Sequence, residues 1–135
     1  TTIEETKEKG YVETLFGRKR FIPEIQSGIY QVRAAAERMA VNMPVQGTAA
    51  DLMKIAMNRI HARLKKEYPE DYQKNIKMIL QVHDELVFEI KNKFLREVAK
   101  LVKKEMEEVA KLNVPIIVDL KSGPNWGEMK SISEA

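Results

Sequence analysis

The chain has 135 residues, of which 44% are hydrophobic, and this is enough to bury one core, so a single domain is expected. It contains no cysteine, which excludes disulfides, zinc–thiolate sites and thiol nucleophiles and favours an intracellular protein. No run approaches the ~18 apolar residues of a membrane span, and the N-terminus lacks the regions of a signal peptide. The formal charge of +3 is too small to indicate a polyanionic partner by itself. We therefore expect a soluble, untargeted, cytoplasmic protein.

The first part of the sequence predicts a charged helix followed by a small β-hairpin. The helix has no evident N-terminal cap and is stopped by Gly10. Pro23 marks the second strand of the hairpin as an edge strand, because proline cannot donate to a ladder. The bounds expected from the pattern are 3–9 for the helix, and 11–16 and 20–25 for strands on either side of a basic turn.

Helical spacing resumes near Tyr30 and is interrupted at Pro44, which removes a donor and disfavours helical geometry in the preceding residue. The helix should therefore end or kink there. Thr48 and Asp51 form a Thr-x-x-Asp variant of the capping box and predict a new helix that runs to about Lys66.

Residues 76–90 contain two alternating, strand-like runs that meet at three consecutive polar side chains, His83, Asp84 and Glu85. The pattern predicts a β-hairpin with an acidic tip, in which His83 is the last residue of the first strand. Because tight turns favour glycine and none is present, the turn is either looser than the minimum or strained. Carboxylates on a rigid corner suit a hard cation, although a solvated turn is the simpler interpretation of these residues alone.

The remaining sequence predicts one more helix and one more strand. A helix with a single apolar face is followed by a strand at 114–120, a Gly-Pro-Asn turn, and a frayed end at 131–135. The fold class is therefore α+β: a small antiparallel sheet, formed by the hairpin and the C-terminal strand, packs on helices, and a further hairpin lies near the N-terminus. The apolar face of the helix comprises Leu95, Val98, Val102, Met106 and Val109.

Four polar side chains depart from the amphipathic pattern. Arg38 and Asn42 are four residues apart on an otherwise alanine- and methionine-rich helix, so they share one face. Gln46 follows Pro44, where a turn would keep it on the same side, and His83 precedes the acidic tip. Together these donors match the acceptors that every base pair presents in the DNA minor groove. Taken singly, each is more often a solvated, capping or strand hydrogen-bonding residue.

Taken together, the residues resemble the C-terminal part of the family A DNA polymerases, the bacterial polymerase I type. The hairpin is similar to the family's third polymerase motif, and the likeness extends from about Gly10 to Met129. The matching segments are Thr-Leu-Phe-Gly-Arg-Lys-Arg at 14–20, Arg-Ala-Ala-Ala-Glu-Arg at 33–38, Asn-Met-Pro-Val-Gln-Gly-Thr-Ala-Ala-Asp at 42–51, Gln-Val-His-Asp-Glu-Leu-Val-Phe-Glu at 81–89 and Asn-Trp at 125–126.

The resemblance implies that residues 1–130 form the C-terminal part of a polymerase domain, a palm with helices continuing toward the fingers, followed by the frayed tail. It implies a DNA-directed DNA polymerase of replication and repair, in which two Mg²⁺ ions assist nucleotidyl transfer from a dNTP to a primer 3′-hydroxyl. Asp84 matches a metal-binding catalytic aspartate. Glu85 matches the neighbouring acid, which takes a supporting catalytic role because successive strand side chains point to opposite faces. Positions near the DNA primer-template are matched by Arg33, Arg38, Asn42, Gln46 and His83.

The family's other catalytic aspartate and its nucleotide-binding helix have no counterpart in this sequence. We therefore expect a fragment that is inactive alone, that needs the remainder of the polymerase chain as a partner, and that acts on nucleoid-associated DNA without a membrane. Two alternatives stay open. A noncatalytic nucleic-acid-binding palm-like module is opposed by the acidic tip, which would repel phosphates unless a metal intervenes. A related single-subunit RNA polymerase is opposed by the number of matching segments.

Overall fold

The computed structural model describes residues 1–132, which form two compact units, Thr1–Leu52 and the part that begins at Met53. Helices and small antiparallel sheets alternate, so the predicted α+β class is confirmed. None of the helices in these residues is both long enough and apolar enough to cross a membrane. The elements are α1 (Thr2–Lys9), β1 (Tyr11–Glu13), β2 (Lys19–Phe21), α2 (Tyr30–Glu67), β3 (Ile76–Val82), β4 (Glu85–Ile90), α3 (Leu95–Glu107), β5 (Lys121–Ser122) and β6 (Lys130–Ser131), with 3₁₀ turns at Pro23–Gln26 and Asn92–Phe94.

The first helix carries its own cap, so the expectation of an uncapped helix end is wrong. The Glu4 backbone N–H donates to Thr1 Oγ1 at 3.4 Å, and the Thr1 amino group donates to the Glu4 carboxylate at 2.9 Å, which completes a capping box. Gly10 ends α1 in the left-handed conformation with φ 79°, as its position in the sequence predicts.

The N-terminal hairpin is present but shorter than expected. β1 and β2 pair antiparallel over three residues each, with Tyr11 opposite Phe21. The turn begins early because the Gly17 N–H donates to the Thr14 carbonyl, and Gly17 itself has a φ of 81°. The second strand ends early because Pro23 starts a 3₁₀ turn. The hairpin packs on α2 through a cluster of buried apolar side chains, namely Val12, Ile22, Ile25, Ala36, Ala40 and Met43.

The second helix is continuous from Tyr30 to Glu67 with Pro44 inside it, so the prediction of two helices is wrong. Thr48 and Asp51 do not start a new helix. Thr48 Oγ1 accepts a hydrogen bond from the Leu15 backbone N–H at 2.9 Å, and the Asp51 carboxylate accepts one from Arg18 Nε at 2.7 Å. Their side chains therefore hold the hairpin turn against the helix.

In the second unit, β3 and β4 form the predicted hairpin. Ile76 lies opposite Ile90 and Val82 opposite Glu85, with a register irregularity between Met78 and Leu80. Ile76 of this hairpin belongs to one buried cluster with apolar side chains of α2 and α3, so the apolar face predicted for the last helix packs in this cluster. The cluster comprises Ile60, Leu64, Ile76, Val98, Leu101 and Val102.

The C-terminal strand predicted at 114–120 is wrong, because in the described chain the β3–β4 sheet has only two strands and this segment belongs to no sheet. The Val118 N–H donates to Glu107 Oε2 at 3.0 Å, so a side chain satisfies a backbone group that a ladder would otherwise satisfy. Strand pairing occurs later, between β5 and β6. Ser131 is paired with Lys121, contrary to the expected fraying, and the rest of that predicted tail, 133–135, lies outside the described residues.

Candidate active site

The acidic tip is a hairpin turn of minimum length. Val82 pairs with Glu85, so only His83 and Asp84 form the loop, and His83 belongs to the turn and not, as predicted, to the end of the strand. Its φ of 52° lies in the left-handed region, which costs a residue other than glycine about 1–2 kcal/mol. Of the two alternatives for a turn without glycine, the strained one is observed. Gln81 Nε2 donates to the His83 carbonyl at 2.6 Å and braces the turn from the preceding strand.

Two carboxylates stand in solvent at this turn. Asp84 is the second loop residue and Glu85 is the first residue of β4, and both side chains are exposed. Neither forms an ion pair within residues 1–132. Carboxylate oxygens are the ligands that Mg²⁺ prefers, and this cation is commonly held by one or two carboxylates together with waters and substrate phosphates. The tip fits that demand, although no group of three metal-ligating side chains occurs in the described part of the chain.

Three of the predicted DNA-contacting residues form one exposed stripe in the first unit. Arg38, Asn42 and Gln46 lie on α2 at intervals of four residues, and all three are exposed. Each interval advances about 6 Å along the axis and turns about 40° around it. Gln46 joins the stripe because α2 continues through Pro44, and no intervening turn is needed. His83 and the acidic tip belong to the second unit.

Arg33 does not belong to this stripe. Five residues separate it from Arg38, which corresponds to a rotation of about 140° around the helix. Its Nη1 donates to the Ser27 carbonyl at 3.1 Å, and its guanidinium lies 6.0 Å from the centre of the Tyr30 ring. The side chain thus fixes the start of α2 to the preceding loop.

Arg18 joins the hairpin turn to α2, a structural role that the sequence patterns did not predict. Its Nη2 donates to the Gly47 carbonyl at 3.1 Å, in addition to its bond with Asp51. A Cβ atom at position 47 would lie 2.8 Å from Thr14 Cγ2, so the hairpin approaches the helix closely at Gly47. A glycine inside an otherwise helical pattern was the signal for this close approach.

A protein-family model and curated relatives match most of this chain. Residues 1–128 match the model of DNA polymerase family A. The chain is 50% identical over 125 residues to the thermostable DNA polymerase I of Thermus aquaticus and 48% identical over 128 residues to DNA polymerase I of Streptococcus pneumoniae. These matches cover 93% and 95% of this chain, which spans only 14% of the length of each relative.

Among solved structures, the POL domain of Pol1 from M. smegmatis, in complex with DNA primer-template and dNTP, is similar at a TM-score of 0.77 with 38% identity. The similarity covers 84% of this chain and 19% of that chain. Since the family model matches almost the whole sequence and the fold agrees, the chain belongs to the family A DNA polymerases.

Proposed function

We propose that this chain contributes a metal-binding aspartate and part of the primer-template surface to a template-directed DNA polymerase. The carrying observation is the two-residue turn between β3 and β4, which holds the Asp84 carboxylate exposed on a braced corner. Relatives of the chain are DNA polymerases I, and one structural neighbour was captured with primer-template and dNTP. Residues 1–130 would form the C-terminal part of the polymerase domain, the palm with helices continuing toward the fingers.

Asp84 is the proposed metal ligand. Mg²⁺ ions, when bound, would supply a Lewis acid for the primer 3′-hydroxyl and neutralise charge on the phosphate oxygens. Asp84 would hold one such ion through its carboxylate. Glu85 is the first residue of β4, whereas Asp84 lies in the turn, and we assign Glu85 a supporting role without a bond to the same ion.

The stripe formed by Arg38, Asn42 and Gln46 is the proposed minor-groove contact. A guanidinium and two carboxamides supply donors, and spacings of about 6 Å along the helix, nearly two base-pair steps of about 3.4 Å, allow them to reach different base pairs of one duplex. His83 would add a donor beside the acidic tip. A DNA contact by Arg33 remains a prediction, and it would lie on a different side of α2.

Because this chain spans only 14% of the length of its polymerase relatives, other parts of such a polymerase would complete the active site. A second catalytic carboxylate and the dNTP-binding side chains would come from the remainder of a polymerase chain, which is the proposed partner. Acting on chromosomal DNA, such an enzyme would work in the bacterial cytoplasm at the nucleoid.

A chimera tests this proposal. Residues 1–132 would replace the matching segment of the Thermus aquaticus enzyme, to which the chain is 50% identical over 125 residues, and primer extension would be measured across a Mg²⁺ titration. We expect extension, a loss of kcat of about 10³-fold or more with Asp84→Asn, and a loss of about 10- to 100-fold with Glu85→Gln. Primer-template affinity should change little in both variants.

The neighbouring acids serve as matched controls for each other. A fully active Asp84→Asn chimera would refute the proposed metal ligand, and equal, complete inactivation by both substitutions would refute the division of roles. A chimera that binds duplex DNA independently of Mg²⁺ but extends no primer would instead support a noncatalytic binding module.

A further inference from the structure

Helix α2 continues through a segment that should weaken it. Pro44 has no N–H to donate to the Ala40 carbonyl, and its ring crowds that carbonyl. Gly47, three residues later, gains less from helix formation than any other residue except proline, because its backbone loses the most freedom. The segment 44–47 is therefore where α2 bends most easily.

The N-terminal hairpin is hydrogen-bonded to the helix on the C-terminal side of Pro44. Its turn supplies three hydrogen bonds there: Leu15 N–H to Thr48 Oγ1 at 2.9 Å, Arg18 Nε to Asp51 Oδ1 at 2.7 Å, and Arg18 Nη2 to the Gly47 carbonyl at 3.1 Å. The Asp51 side chain is only 11% exposed, whereas that of Arg18 is 48% exposed, so solvent is excluded from the acidic partner of this pair but not from the basic one.

The same hairpin also packs on the N-terminal side. Val12 and Ile22 at its base belong to one buried cluster with Ala36 and Ala40, which precede the proline. A two-stranded element that contacts the helix both before and after Pro44 opposes bending of the helix between these contacts.

We propose that the β1–β2 hairpin keeps α2 straight across Pro44, and that Arg18 and Asp51 are positioning residues for the primer-template stripe. This rests on the proposed function, because Arg38 and Asn42 lie before the proline and Gln46 lies after it. A bend at Pro44 would carry Gln46 away from the other two donors.

A distance measurement tests whether the hairpin keeps α2 straight, independently of polymerase activity. The chain has no cysteine, so Ala35→Cys and Ala49→Cys, both at exposed positions, accept spin labels selectively. Fourteen residues of straight helix separate their Cα atoms by about 21 Å. In this labelled chain, Arg18→Met removes the donors but keeps the apolar stem, and we expect the distance distribution to broaden or shorten. Pro44→Ala should restore it.

A DNA-binding measurement on the chimera tests the positioning role. We expect Arg18→Met to weaken primer-template affinity about threefold to tenfold with little change in kcat. The loss should disappear when Pro44→Ala is added, and it should add nothing in a Gln46→Ala background. Lys19→Met is the matched control, since it removes one positive charge from the next residue, the first of β2, where Lys19 contacts Glu13 and Tyr11 instead of α2.

The outcomes separate the two proposals. An unchanged distance distribution in Arg18→Met overturns the proposal that the hairpin keeps α2 straight, whether or not the chimera polymerises. An altered distribution with unaltered DNA affinity overturns the positioning role, as does an equal loss of affinity in Lys19→Met. If Arg18→Met does not fold, Thr48→Val provides the same test, because it removes only the acceptor for the Leu15 N–H.

Discussion

Alanine at position 47 should destabilise the chain, although alanine normally stabilises a helix interior by about 1 kcal/mol relative to glycine. The added Cβ would lie 2.8 Å from Thr14 Cγ2 and 3.3 Å from Met43 Cε. Thr14 is only 5% exposed, so its methyl group has little room to turn away. Overpacking costs about 1–3 kcal/mol, and a lost Leu15–Thr48 hydrogen bond adds about 1 kcal/mol. We therefore expect a net loss of about 1–3 kcal/mol in the free energy of unfolding.

Denaturant unfolding followed by circular dichroism measures this loss. Thr14→Ser removes the crowding methyl and keeps the hydroxyl that accepts from the Arg18 N–H. In the Thr14→Ser background, Gly47→Ala should be neutral or stabilising by up to about 1 kcal/mol, since only the propensity term remains. Gly28→Ala is a control in open space and should change stability by less than about 0.5 kcal/mol. A Gly47→Ala chain as stable as the parent, or a loss that Thr14→Ser does not reverse, would refute the close approach of hairpin and helix.

Three further predictions follow from local geometry. Gly123→Ala would set a Cβ 1.9 Å from the Glu128 carbonyl oxygen, so the β5–β6 ladder should open. Its amide hydrogens should then exchange at least about tenfold faster. Unchanged exchange would contradict the close contact between residues 123 and 128. Burial, and then the hydrogen bond to Glu97, raises the pKa of Tyr68 above its usual 10.0. The unfolded chain therefore releases this proton at a lower pH than the folded chain, and the free energy of unfolding should fall as pH rises above about 10. Tyr68→Phe should make this fall with pH less steep in denaturation measured at several pH values. His83→Gly removes the backbone strain that a φ of 52° imposes on a residue other than glycine. The free energy of unfolding should stay the same or rise by up to about 1 kcal/mol, while primer extension by the chimera falls. A marked loss of stability would argue against strain at this residue.

Local patterns predicted the elements whose partners are close in sequence. Residues 76–90 were recognisable as a hairpin because alternation and a short polar turn act over a few residues, and the acidic tip followed directly. The apolar face of α3 was equally visible, because helical spacing specifies which side is buried.

Long-range contacts account for most of what the sequence did not reveal. Thr48 and Asp51 have the residue types of a helix cap, but their partners lie 33 residues earlier, in the hairpin turn. The resemblance placed Arg33 near DNA, a contact that stays a prediction, but it gave no sign that this side chain donates to the Ser27 carbonyl six residues earlier. Pro44 was expected to end or kink the helix, and a new helix was expected at Thr48, because propensity describes an isolated helix and omits the tertiary contacts on both sides of the proline; the helix does not end there.

Trp126 is the only tryptophan of the chain, and it lies in the turn between β5 and β6 with 53% of its surface exposed. Its fluorescence should respond readily to soluble quenchers. Because the first unit has no tryptophan, selective excitation of the indole reports on the second unit alone, whereas circular dichroism reports on the helices of both. The two signals would change at the same denaturant concentration if the chain unfolds in one cooperative step, and at different concentrations if each unit unfolds separately.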